Sequence, residues 1–105
     1  MELHTNPRVQ VDGEVLRALA THYGIQTLAL FGSILRDDFR GDSDVDLLVT
    51  FRPDSPVRSL LDLAEVVVAL EDLLERPVDL VEPHTLDPLI RDKVLASQQL
   101  IYVGP

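Results

Sequence analysis

Residues 28–51 read LALFGSILRDDFRGDSDVDLLVTF, and this stretch decides the fold. An apolar run ends at Gly32-Ser33, a charged passage follows, and Asp44-Val45-Asp46 opens a second apolar run. Short apolar runs bounded by small and turn-forming residues are typical of buried strands. The pattern therefore predicts strand, turn, short helix and strand, with a phosphate-sized notch beside two carboxylates.

The second apolar run alternates in the manner of a strand. Its pattern places Val45, Leu47, Val49 and Phe51 on one face and Asp44, Asp46, Leu48 and Thr50 on the other. Residues i and i+2 on a strand lie about 6.6 Å apart. Their side chains can converge on two divalent cations about 3.5–4 Å apart, the arrangement that in-line nucleotidyl transfer uses. Oxygen ligands favour Mg²⁺ or Mn²⁺ over zinc.

Four further residues complete the candidate site. Asp79 interrupts the β-like segment 77–82. A charge within a strand is costly unless it is paired, metal-bound or at the surface, and we favour a metal ligand over a solvated edge residue. Gly32 lets a backbone approach a phosphate, and the Ser33 hydroxyl can donate to phosphate oxygens. Arg36 can reach a triphosphate or, equally well, pair with an acidic neighbour.

Hydrophobic periodicity predicts the rest of the chain. Helices are expected over 12–24, 33–39, 59–75 and from 87 onward, a turn over 40–43, and further strands over 25–31, 77–82 and 99–103. This order predicts an α/β or α+β fold around a sheet of about four strands. Helix 59–75 has more apolar residues than one buried face needs, which indicates either deep burial or a partner-facing surface. The side chains expected on the inner face of the last helix are Leu89, Ile90, Val94 and Leu95.

Size and charge narrow the functional classes. A chain of 105 residues is expected to form a single domain, 1–105. Its net charge of −9 repels phosphate backbones, which argues against long nucleic acid. The charge favours a basic protein, or a nucleotide bridged by metal ions, as the partner; equally well, it serves solubility alone. The absence of cysteine excludes disulfides and thiolate metal sites. No apolar run is long enough to span a membrane and no signal-like segment opens the chain, so a cytoplasmic location is expected.

Three motifs together resemble a known family. They are Phe31-Gly32-Ser33, the run from Ser43 through Asp44-Val45-Asp46 to Val49, and Val78-Asp79-Leu80-Val81. Over about residues 12–103 the chain resembles the minimal nucleotidyltransferases of the DNA polymerase β-type superfamily, many of which are antitoxins of HEPN-domain ribonuclease toxins. The resemblance implies a polymerase β-like fold with a mixed sheet of about four strands.

The resemblance also implies roles for the site residues. Gly32, Ser33 and Arg36 would bind the nucleotide phosphates. Asp44 and Asp46 would bind two Mg²⁺ ions, and Asp79 would join them as a ligand or as the base for the attacking hydroxyl. The implied reaction is transfer of AMP from ATP to a tyrosine of a cognate HEPN-type toxin, in a type VII toxin–antitoxin complex.

Two other functions remain open from the sequence. The fold could neutralise a toxin by binding alone, with little or no catalysis. This alternative is favoured by the apolar excess of helix 59–75 and by Leu35-Arg36-Asp37, where many relatives carry an Ala-Arg-Gly run. The chain could instead nucleotidylate a small molecule such as an aminoglycoside, which ranks last because so short a chain encloses little.

Overall fold

The computed structural model describes residues 8–36 and 43–105, and these form three α-helices and a mixed four-stranded sheet. Helix α1 spans Gly13–Tyr23, α2 spans Leu60–Leu74 and α3 spans Pro88–Ser97. Strand β1 spans Ile25–Phe31, β2 spans Val45–Phe51, β3 spans Val78–Val81 and β4 spans Gln99–Val103. The predicted α/β class with four strands is confirmed. None of the described helices is both long and apolar enough to cross a membrane.

The strands lie in the order β3-β2-β1-β4. Strand β1 is antiparallel to both of its neighbours, β2 and β4, whereas β2 and β3 are parallel. Parallel neighbours need a crossover connection, and α2 supplies it. This crossover brings the acidic start of β2 beside the acidic segment of β3.

Local capping residues mark both ends of α1 and the start of α2. Asp12 accepts hydrogen bonds from the backbone N–H groups of Glu14 and Val15 at 3.0 and 3.2 Å. Helix α1 ends at Gly24, whose φ of 66° is left-handed. The Ser59 side chain caps α2 by accepting from the Asp62 backbone N–H at 3.1 Å. The predicted limits at Asp12, Gly24 and Ser59 are therefore confirmed.

The core lies between one face of the sheet and helices α1 and α2. Val45, Leu47 and Val49 are fully buried, as the alternation of β2 predicts. They belong to one apolar cluster with Leu16, Ala20, Leu28, Leu30, Val66 and Leu70. Asp46 lies on the opposite face of the sheet, where Leu48, two residues further along β2, is also buried.

Helix α3 corrects one sequence prediction. Its apolar residues do not form an inner face: Leu89 is 87% exposed, Ile90 48% and Leu95 37%, and no residue of the helix is fully buried. Val94 is half-buried. The reason is that α1 and α2 already fill the core, and the apolar residues of α3 are spread around the helix rather than along one side.

The helix after Gly32 is also shorter than predicted. A one-turn 3₁₀ helix spans Gly32–Leu35, in place of the start of the helix predicted over 33–39. Residues 37–39 of that prediction, including Asp37, lie outside the described residues, as do 40–42 of the predicted turn. This short turn places the segment after β1 against the carboxylate end of β2.

Candidate active site

Strands β2 and β3 bring the predicted carboxylates to neighbouring positions on the sheet. Asp46 on β2 is the register partner of Asp79 on β3, and Asp44 immediately precedes β2. Asp44 and Asp79 are exposed, and Asp46 is half-buried. The pairing of β2 with β3 therefore unites three acidic residues that are up to 35 positions apart in sequence.

Asp46 has the most perturbed environment of the three. Burial raises the pKa of its carboxyl above the usual value, and the negative charges of Asp79 and Asp44 raise it further. The Ser33 backbone N–H, which donates to this carboxylate, and the charge of Arg36 act in the opposite direction. Because the negative charges of Asp79 and Asp44 act on Asp46, a cation beside this carboxylate would offset the repulsion.

Gly32 makes the close approach of Asp46 to the turn possible. Its φ of 76° lies in the left-handed region, which side chains disfavour. A Cβ added at Gly32 would lie 2.3 Å from the Asp46 carboxylate oxygen Oδ2, far inside van der Waals contact. The sequence assigned this glycine to phosphate approach, and the structure adds that the neighbouring carboxylate also requires it.

Arg8 holds the turn from outside the motif. Its guanidinium donates to the carbonyl oxygens of Ile34, at 2.9 Å, and of Arg36. The Arg36 backbone N–H in turn donates to the Ser33 carbonyl at 2.9 Å. Sequence reasoning missed Arg8, because nothing in its local pattern signals a contact with residues about 26 positions away.

A cleft of about 410 Å³ opens beside the turn. The described residues that line it are Phe31, Gly32, Leu35, Arg36, Lys93, Val94 and Ser97. Sequence reasoning also missed Lys93, although it is the only lysine in the chain. Its place in the cleft depends on how α3 packs, which no local pattern predicts.

The donor set suits Mg²⁺ in its chemistry, because all three candidate ligands are carboxylates. In the side-chain positions of residues 8–36 and 43–105, no three acidic, histidine or cysteine side chains converge into a formed metal cage. Asp44 and Asp79 are exposed, so their side chains have room to change rotamer toward a cation. The assignment of Asp44, Asp46 and Asp79 as metal ligands stays a prediction.

Comparison with known proteins defines the class. Residues 14–104 match the family model "Polymerase beta, Nucleotidyltransferase". The match takes in the glycine turn and all three carboxylates. The chain belongs to this nucleotidyltransferase family.

Two individual relatives are similar to the chain over most of its length. The chain is 37% identical to protein adenylyltransferase MntA of Thermococcus cleftensis over 87 residues, which cover 83% of each protein. A solved structure provisionally assigned as a minimal nucleotidyltransferase has a TM-score of 0.62 and 39% identity, and the match covers 90% of this chain and 98% of that one.

A more distant structure shows the same fold in a complex. It contains a tri-AMPylated HEPN toxin of Shewanella oneidensis with its MNT antitoxin. The match has a TM-score of 0.59 and 18% identity, and covers 88% of this chain and 70% of that one. At this identity the likeness shows the fold alone.

Proposed function

We propose that the protein is an Mg²⁺-dependent adenylyltransferase that transfers AMP from ATP to a tyrosine hydroxyl of a HEPN-type ribonuclease toxin and thereby acts as its antitoxin. The observation that carries this proposal is the direct pairing of Asp46 with Asp79 beside the Gly32-Ser33 turn. Mutually repelling carboxylates next to a turn open to a phosphate match the two needs of nucleotidyl transfer. Membership of the nucleotidyltransferase family and the adenylyltransferase relative support it.

The carboxylates would hold the metal ions and handle the proton. Asp44 and Asp46 would bind both Mg²⁺ ions, and Asp79 would either join them or accept the proton of the attacking tyrosine. When bound, the two ions lower the pKa of the hydroxyl and offset negative charge on the leaving group. The tyrosine oxygen forms a bond to the α-phosphorus of ATP, the bond from that phosphorus to the bridging oxygen breaks, and pyrophosphate leaves with the electron pair.

The turn after β1 would bind the phosphates. Gly32 presents its backbone without a side chain, and the Ser33 hydroxyl can donate to phosphate oxygens. The Arg36 guanidinium is exposed and close enough to Asp46 to lower the pKa of that carboxyl. It can therefore donate to a phosphate that lies next to the carboxylates.

Helix α2 supplies a surface suited to a protein partner. Leu60, Leu61 and Val68 are 84%, 81% and 56% exposed, so part of the apolar excess seen in the sequence faces outward. This exposed surface also favours the second candidate function, neutralisation of the toxin by binding alone. The net charge of −9 suits a basic ribonuclease in either case.

Substitution of the carboxylates separates the two functions. The chain is co-expressed with a HEPN-type toxin, and the toxin is weighed by intact mass spectrometry after incubation with Mg²⁺ and ATP. AMP adducts are expected with the unchanged chain and with the control Asp54→Asn, at an exposed position. With Asp44→Asn or Asp46→Asn the yield is expected to fall at least about a hundredfold while the complex survives. A stable, neutral complex without adducts from any variant would instead establish the binding-only antitoxin.

A further inference from the structure

We infer that the cleft between the Gly32 turn and α3 is a subsite for the pyrophosphate end of a nucleoside triphosphate, with Lys93 as its cationic wall. The inference rests on the proposed function for the direction in which the nucleotide lies. It adds a binding residue outside the Gly-Ser and Asp-x-Asp motifs.

The charge of the cleft indicates that its ligand is an anion. The walls carry two cations, Arg36 and Lys93, and none of the described residues that line the cleft is a carboxylate. The chain as a whole has twice as many acidic as basic residues. A cationic cleft in an acidic protein attracts an anion, and its volume of about 410 Å³ is within the range of small-molecule sites.

Lys93 has no structural task that would explain its charge. Its ammonium makes no hydrogen bond or ion pair with any described residue, and the Ser97 hydroxyl donates to its backbone carbonyl, not to its side chain, at 2.9 Å. Arg91, the other basic residue of α3, does have a structural role. Its guanidinium donates to the carbonyls of Pro83 at 3.0 Å and Leu86 at 2.9 Å, which fixes the start of α3.

The cleft adjoins the carboxylates through two shared residues. Gly32 lines the cleft and also lies against the Asp46 carboxylate. Arg36 lines the cleft and its charge acts on Asp46. An α-phosphorus held at Asp46 would therefore have the cleft directly beside it.

Electrostatics set the direction of the phosphate chain. The side of the site toward β3 carries Asp79 and repels the β- and γ-phosphates, whereas the cleft side carries Arg36 and Lys93. When the bond between the α-phosphorus and the bridging oxygen breaks, the electron pair moves onto the pyrophosphate. Lys93 and Arg36 then lie where negative charge increases, which stabilises the transition state as well as the bound triphosphate.

Affinities for three ligands test the subsite. Wild type and Lys93→Gln are titrated with ATP, AMP and inorganic tripolyphosphate in the presence of Mg²⁺. We expect Lys93→Gln to weaken ATP and tripolyphosphate by about tenfold, since one charge-assisted contact is lost, and to leave AMP unchanged because AMP has no β- or γ-phosphate. Inhibition by pyrophosphate is expected to weaken by a similar factor.

Two control variants isolate the position of the charge. Lys93→Arg keeps the cation and is expected to restore most of the affinity for tripolyphosphate. Arg17→Gln removes one exposed positive charge from α1, on the opposite side of the sheet, and is expected to change each affinity by less than about twofold. Equal losses in Arg17→Gln and Lys93→Gln, or equal losses for AMP and ATP, would overturn the subsite.

Because the chain has a single lysine, its side-chain signal reports directly whether Lys93 contacts the phosphates. In protein labelled with ¹³C-lysine, the side-chain signal comes from Lys93 alone. We expect Mg²⁺-tripolyphosphate to shift this signal and adenosine to leave it in place. An unmoved signal at saturating tripolyphosphate would overturn the inference. A shifted signal in a chain that transfers no AMP would uphold the subsite and reject only the proposed reaction.

Discussion

Residues on the two faces of strand β2 have opposite effects on the stability of the fold. On one face Val45, Leu47 and Val49 are fully buried beneath α1 and α2. On the other, Asp46 is half-buried beside Asp79, and its pKa is raised by burial and by like charges. The buried face stabilises the fold, and Leu48 is buried on the other face as well, whereas Asp46 itself costs stability in the absence of a cation. A cost of this kind at a single site is typical of residues retained for function.

The largest effect on stability is expected on the buried face. Leu47→Ala removes a fully buried side chain and leaves a cavity, so the free energy of unfolding should fall by about 3 kcal/mol. The matched control is Leu61→Ala on α2, where the same side chain is 81% exposed and the expected loss is below about 0.5 kcal/mol. Urea unfolding measures both. Similar losses at the two positions would mean that α2 and the sheet are not packed as described.

An intermediate effect is expected where the turn meets the acidic face. Gly32→Ala places a Cβ against the Asp46 carboxylate at a left-handed φ, and should lower the free energy of unfolding by about 1–3 kcal/mol. Gly104→Ala is the control, because its φ is not left-handed and the nearest atom to its Cβ would be 3.3 Å away. Thermal unfolding followed by circular dichroism compares them. A Gly32→Ala protein as stable as Gly104→Ala would contradict the close approach of Asp46.

The smallest effect is expected from Asp46 itself, and its sign is opposite. Since folding raises the pKa of Asp46, the ionised carboxylate lowers stability at neutral pH, and this penalty disappears as the pH falls below the unfolded value of 3.8. Asp46→Asn should therefore raise the free energy of unfolding at pH 7 by about 0.5 kcal/mol, a small value because the carboxyl is partly solvated. Unfolding curves of both proteins from pH 7 to pH 4 check that the difference shrinks toward acid. A difference that grew toward acid would contradict the raised pKa.

Elements with local signals were predicted well from the sequence. The alternation of β2 identified its buried side, Asp12 and Gly24 marked the ends of α1, and strand β4 occupies residues 99–103 as expected. The burial of α3 was predicted wrongly, because whether an apolar residue meets the core depends on what already covers the sheet.

The same distinction holds for the site: local patterns predicted some of its residues, whereas other features depend on tertiary packing. The i, i+2 spacing identified Asp44 and Asp46, and the interrupted apolar run identified Asp79. The pairing of Asp79 with Asp46 depends on the crossover through α2, and the positions of Arg8 and Lys93 depend on tertiary packing. Sequence patterns encode neither, so these contacts became visible only in the folded chain.

The proposed transfer is tested most directly by following two labels in parallel. The chain and a HEPN-type toxin are incubated with Mg²⁺ and ATP that carries ³²P at either the α- or the γ-phosphate, and the toxin is then separated and counted. We predict label on the toxin from the α-position only, with release of an equal amount of pyrophosphate. Label from the γ-position would show phosphoryl transfer instead, and a neutralised toxin without label from either position would contradict an enzymatic antitoxin.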